Sequence, residues 1–213
     1  LIFILILVQG IVGWYMVKSG LVNDVTVSHY RLSIHLVIAF VIISNIFWLI
    51  NNLIQKKEKN FFNFDKKNLP FLALVLLIFI QIIFGAFVSG LDAGRIYQTW
   101  PLMGSSFFPN DIAIDNLNNF INLNDHSLVQ FYHRNLAYLI ILYSLILTFY
   151  TYKNNLKYLF GPLKLFISIL LIQVILGILT LVGGLNIYLA SAHQISSVIL
   201  VFSAINLYYF QAK

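Results

Sequence analysis

Between Pro70 and Gly90 the chain reads "PFLALVLLIFIQIIFGAFVSG" without a single charge. About 20 consecutive apolar residues are what a helix needs to cross the hydrocarbon core of a bilayer. The sequence repeats such a run six times, over about 1–18, 30–53, 70–90, 127–150, 162–183 and 188–210. With 60% hydrophobic and 9% charged residues, the chain has far more apolar surface than a water-soluble domain of 213 residues could bury. The predicted fold class is therefore all-α, an integral membrane protein with six transmembrane helices. There is no cysteine, which excludes disulfides, thiolate metal sites and cysteine nucleophiles. The chain opens at Leu1 inside an apolar run, without methionine, basic leader or cleavage site, and is expected to be a piece of a longer protein.

The net charge of +6 could suggest nucleic acid, but its placement argues against that partner. Lys56, Lys57, Lys59, Lys66 and Lys67 crowd the second connection; Lys153, Lys157 and Lys164 flank the fourth. The third connection instead carries Asp92, Asp111, Asp115 and Asp125. An excess of lysine marks the cytoplasmic or matrix side of a membrane protein. The first, third and fifth helices are thus predicted to run outward, and the others to return.

The outward helices share a motif. Gln-x-x-x-Gly occurs as Gln9/Gly13, Gln81/Gly85 and Gln173/Gly177. Each copy closes with a small residue, glycine and leucine: Ser19-Gly20-Leu21, Ser89-Gly90-Leu91 and Gly183-Gly184-Leu185. Small residues permit close helix packing, which could be their whole purpose. The helix after each copy says more, because every returning helix carries a histidine near its start: His35, His133 and His193. The unit "Gln-x-x-x-Gly helix out, histidine helix back" is present three times. A two-fold arrangement of pairs needs four copies, so a fourth pair with a further histidine is expected upstream of Leu1.

A titratable group within a spanning segment is a functional candidate by default. Neutral imidazole suits iron, copper or zinc, but zinc sites commonly recruit carboxylates or thiolates, and the predicted spans contain neither. Histidines on facing helices of a bundle suit axial ligation of a haem, as bundle cofactor sites are built from inward side chains. At ~1.5 Å per residue they would lie roughly 8–10 Å below the outer surface. Arg134, directly after His133, is a candidate for a haem propionate, as are Arg31 and Arg95 near the same face. His29 and His126 are weaker candidates, read as interfacial or loop residues.

The ordered set "GWYMVKSGL", "VSHYRLSIHL", "GAFVSGLDAGRIYQTWPLMG", "LVQFYHRNLAYL" and "LASAHQ" resembles the heme A synthase family. The likeness is to its cysteine-free branch of mitochondria and related bacteria. It implies an eight-helix, pseudo-two-fold arrangement of two four-helix bundles. Residues 1–54 would be the last two helices of the N-terminal, substrate-haem half. Residues 55–69 would be the basic cytoplasmic or matrix loop, and 70–213 the complete C-terminal haem-binding half. His133 and His193 would ligate a b-type haem, and His35 would serve the haem O substrate site. The family's activity is oxidation of a methyl substituent of haem O to the formyl group of haem A, for terminal oxidase biogenesis. The implied partners are haem O and its supplying farnesyltransferase, an electron-transfer partner, membrane lipid and a possible homo-oligomer. The implied location is a bacterial or mitochondrial inner membrane.

The resemblance has two departures. The family's first half carries a glutamate three residues before its first histidine, whereas Gln130 stands three before His133. An amide cannot act as a general base at neutral pH, so the reactive carboxylate is expected upstream and this piece alone should be inactive. His29 stands where proline is expected. The connection from Leu91 to His126 reads either as an interfacial cap, with Tyr97 and Trp100 as belt residues, or as a lid over a haem edge. Two rival readings share parts of this pattern: a di-haem cytochrome b that only passes electrons, and a haem-free permease or assembly scaffold.

Overall fold

The structure is a computed structural model and describes residues 1–20, 27–112 and 117–212. Six long helices account for most of it: α1 (Ile2–Gly20), α2 (His29–Gln55), α3 (Leu69–Gly90), α4 (His126–Lys153), α5 (Phe160–Val182) and α6 (Ile187–Gln211). Among the described residues there is no strand. Five of the helices, α2 to α6, are long and apolar enough to cross a membrane, while the apolar part of α1, Ile2–Lys18, is shorter. The protein is a multi-pass membrane protein. Leu21 and Asp115, which the sequence singled out, lie outside the described residues, as do the side chains of Ser19 and Gly20.

Local chemistry sets the helix ends. Asp125 caps α4 by accepting from the Leu128 N–H at 2.9 Å, and Asn186 caps α6 by accepting from the N–H groups of Tyr188 and Leu189. A side-chain acceptor satisfies amides that the first helical turn leaves without partners. Pro70 opens α3, where its missing N–H costs nothing.

Helices α3, α4, α5 and α6 close into a ring in which each packs on the next and α6 returns to α3. In that ring α4 and α6 lie on a diagonal. Helix α2 packs across α3 and α6, and α1 packs on α2. The tightest packing is at the lysine-rich end, where Trp48, Phe71, Leu163, Phe166, Leu207, Tyr208 and Tyr209 are almost wholly buried. The connection between α2 and α3 is strapped over this end. Trp48 donates its indole N–H to the Lys59 carbonyl at 2.8 Å, and Tyr208 donates its hydroxyl to the Phe61 carbonyl at 2.6 Å. The Lys59 ammonium donates to the carbonyls of Tyr209 and Ala212 and lies 4.5 Å over the Tyr209 ring. Lys59 therefore neutralises the C-terminal dipole of α6 besides marking topology. Burial, and secondarily the charge of Lys57, pulls its ammonium below the ordinary lysine range.

At the opposite end Gly90 meets the start of α2. A Cβ on Gly90 would stand 2.8 Å from the Cα and Cβ of His29. Only glycine lets the two backbones approach so closely.

Candidate functional site

His35, His133 and His193 each sit about two turns into their helices, at the end away from the lysines. Each ring rests against the preceding outward helix in the same way. A Cβ placed on Gly13 would lie 2.9 Å from the His35 Cε1; one on Gly85 would lie 3.3 Å from that of His133; one on Gly177 would lie 2.9 Å from that of His193. The glutamine four residues earlier is on the same face, one helical turn away. Gln9 reaches the His35 Nε2 at 3.3 Å. Gln81 Nε2 lies 3.1 Å from the His133 Nδ1 and donates to the His133 carbonyl at 3.0 Å. Gln173 reaches the His193 Nε2 at 3.5 Å, while the His193 Nδ1 meets the Gln173 carbonyl at 3.1 Å. The repeat is thus an imidazole slot: glycine leaves room for the ring and glutamine holds its edge.

The sequence pattern presents these glycines as helix-packing residues and does not reveal their contact with histidine. The i, i+4 spacing carries the signal, since it puts Gln and Gly on one face opposite the returning helix. Ser196 is a further member of the site that the sequence pattern does not single out. Its one hydroxyl proton lies between two acceptors, Gln173 Oε1 and, at 3.0 Å, the His193 carbonyl.

His133 on α4 and His193 on α6 belong to diagonally placed helices of the ring. His35 belongs to α2, outside the ring. Among the described residues, no three His, Asp or Glu side chains come together as a metal cluster. The donor set is therefore a pair of imidazoles, which fits the two axial positions of a haem. At His193, the bond from Nδ1–H to a carbonyl leaves the lone pair on Nε2, the arrangement metal-bound histidines commonly show. Gln81 Oε1, Gln130 Oε1 and Arg134 Nε are buried without a hydrogen-bond partner, so the polar capacity of this end exceeds what the chain itself satisfies.

The arginines are used differently from each other. Arg134 donates from Nη2 to the Tyr97 carbonyl at 2.7 Å and from Nη1 to the Thr99 carbonyl at 2.8 Å. The expectation of a propionate partner thus meets a loop anchor, with Nε buried and without a partner. Arg95 is exposed and sits 3.9 Å from Asp92 in a loose ion pair, and the structure does not bring it to a histidine. Arg31 lies over the Tyr15 ring at 5.3 Å. His29, expected at the interface, is buried and makes an edge contact with Phe87 at 5.2 Å. His126, expected in the loop, is the exposed first residue of α4.

The connection after α3 is folded down onto α4. Gln130, almost wholly buried, donates to the Tyr97 carbonyl at 2.9 Å. The Tyr97 hydroxyl donates to Asp111 at 2.7 Å, and Ser127 donates to the other Asp111 oxygen at 2.5 Å. Burial pulls the Asp111 carboxyl up, but these two hydrogen bonds and one from its own backbone together hold the group below its ordinary value. Gly94 packs against Leu185 in the turn between α5 and α6, where a Cβ would stand 2.9 Å from a leucine methyl. The segment from Tyr97 to Asp111 is therefore a fastened cover at the histidine end.

The profile of the cytochrome oxidase assembly protein family, COX15-CtaA, matches residues 1–205. The chain belongs to this family. It is 44% identical over 204 residues to a protein named Heme A synthase in Pelagibacter ubique (strain HTCC1062), covering 95% of this chain and 59% of that relative. Proteins of the same name in Rickettsia prowazekii (strain Madrid E) and Wolbachia pipientis (strain wPip) are 39% identical over 203 residues and 42% over 199. They are covered over 59% and 57% of their lengths. The chain thus spans somewhat under three fifths of these assembly-family relatives, and the three slots all fall within the matched part.

Proposed function

We propose that this chain is the haem-ligating portion of a heme A synthase, and that His133 and His193 are the axial ligands of a b-type haem. The observation that carries this is the pair of imidazoles on the diagonal of the α3–α6 ring, each seated in a Gln-x-x-x-Gly slot. Residues 70–213 act as the complete haem-binding half. Residues 1–54 contribute His35 to the side that takes haem O, and residues 55–69 form the cytoplasmic or matrix loop of an inner-membrane protein. Upstream helices complete an eight-helix, two-bundle arrangement. Haem O, its supplying farnesyltransferase and an electron-transfer partner are the proposed partners, with self-association as a further possibility.

Oxidising an unactivated methyl group needs redox chemistry that protein side chains lack, and a bound haem supplies it. The chain's own residues do the rest. His193 offers Nε2 because its Nδ1 is tied to a carbonyl, and Gln81 holds His133 in its slot. Gln130 and Arg134 keep the Tyr97 to Leu102 stretch closed over this end, limiting water at the ligands. Gln130 donates a hydrogen bond and moves no proton, so the half described by α3 to α6 holds a cofactor and leaves the reacting carboxylate to the other half.

A dithionite-reduced minus oxidised spectrum of the purified chain tests this beside His133→Ala and His193→Ala. A low-spin b-type signal in the parent that both substitutions abolish is the expected result. A folded but colourless parent overturns the assignment and favours an assembly scaffold.

A further inference from the structure

The three slots are not equally furnished, and the difference points to a holding device at one of them. At His193 the ring leans on Gly177, which brings Nδ1 within 3.1 Å of the Gln173 carbonyl, while the Gln173 amide only grazes Nε2 at 3.5 Å. Ser196, three residues after His193 and buried, donates its hydroxyl to Gln173 Oε1. With Oε1 engaged by the hydroxyl, the amide nitrogen is the end of Gln173 that faces the ring. At the matching position after His35 stands Ile38, and after His133 stands Leu136, neither of which can do this. Accordingly Gln9 Oε1 and Gln81 Oε1 are buried without partners, as is the His35 Nδ1.

We propose that Gly177, Gln173 and Ser196 are positioning residues that hold His193 in the Nδ1-protonated form with Nε2 free to ligate, and that this device is particular to the His193 slot, since at His133 the Gln81 amide nitrogen, a donor, faces Nδ1 instead. The ligand role of His193 rests on the haem reading above; the holding of the ring does not. The effect is steric at Gly177 and electronic at Ser196. An alanine methyl 2.9 Å from Cε1 must push the ring away from the carbonyl, whereas the same change at Gly85, at 3.3 Å, needs a smaller shift. Loss of the Ser196 hydroxyl lets the amide turn and removes the polarity that the ring feels.

The test uses the full chain with Gly177→Ala, Gly85→Ala and Ser196→Ala, and with Ser203→Ala as control. Ser203 lies on the same helix but donates only to the Leu200 carbonyl of its own turn, at 2.7 Å. Two readouts are taken: nitrogen NMR of histidine-labelled apoprotein, with the His193 signal assigned by His193→Gln, and midpoint potential with haem retention after loading. In the parent, His193 is expected as the Nδ1–H form. Gly177→Ala should mix the two tautomers and weaken haem retention at least tenfold, the scale of losing support behind a metal ligand. Gly85→Ala should lose less. Ser196→Ala should keep the haem but shift its midpoint, and Ser203→Ala should move neither readout. A parent with Nε2–H at His193 overturns the proposal. So does a set in which Gly177→Ala and Ser196→Ala lower melting temperature alone. A parent that takes no haem yet shows the Nδ1–H form, lost in Gly177→Ala, sinks the haem reading and supports the holding device.

Discussion

Gln130 Nε2 and Arg134 Nη2 converge on the carbonyl oxygen of Tyr97 from residues on either side of His133. A carbonyl accepts hydrogen bonds and cannot give one, so only donors can share that oxygen. Gln130→Glu puts a second acceptor there, in a place with almost no access to water. The expected cost is about 1–3 kcal/mol, that of burying an unsatisfied polar group. It should be read as a lower melting temperature and faster proteolysis of the Tyr97 to Asp111 cover. A Gln130→Glu protein as stable as the parent would show that the cover is held by Arg134 and Asp111 alone. At this scale the sequence was informative about which histidines share a slot, because three copies at one register mark them. It was silent on what Arg134 does. An arginine beside a ligand suits a propionate as well as a loop, and only the fold of a connection distant in sequence decides which carbonyls come within reach.

The helices were legible almost to their ends, since an apolar run of bilayer length has few other ways to satisfy its backbone. Helix α4 begins at His126 and α6 ends at Gln211, each one residue beyond the predicted bounds. The connections were not legible in the same way. The lysines between α2 and α3 announce a side of the membrane, yet nothing local distinguishes Lys59, which is tied to α6, from Lys56 or Lys66, which stand in solvent. That difference is made by tertiary contact. Lys59→Met keeps the stem and removes the charge, leaving the carbonyls of Tyr209 and Ala212 without their donor. Hydrogen bonds to charged groups contribute about 1.5–3 kcal/mol, so a loss on the order of 2 kcal/mol is expected. Hydrogen exchange should show it first as faster exchange over Tyr208–Gln211, with the α3 amides little changed.

In the whole molecule the ring of α3 to α6 and the pair α1–α2 present histidines that share a design but not a location. His133 and His193 belong to the ring, and His35 lies outside it on α2. His35→Ala is therefore expected to leave the reduced-minus-oxidised signal and midpoint of the ring site within error of the parent. A shift comparable to that of His193→Ala would instead join the three histidines into one site. The two parts meet chiefly where α2 crosses α3 and α6, and at the strap over the lysine-rich end. That strap also orders events in time. Lys59 and the carbonyls it holds on α6 are 150 residues or more apart in the chain. A ribosome delivering this protein into a membrane finishes the strap long before it makes the helix end the strap binds. Until then the Trp48 ring lacks Tyr208 and Tyr209 to pack on, and the Phe61 carbonyl lacks the Tyr208 hydroxyl. Contacts so distant along the chain form late and slowly. Helix α2 and the strap must therefore stand in the bilayer without this contact until the last turn of α6 is made.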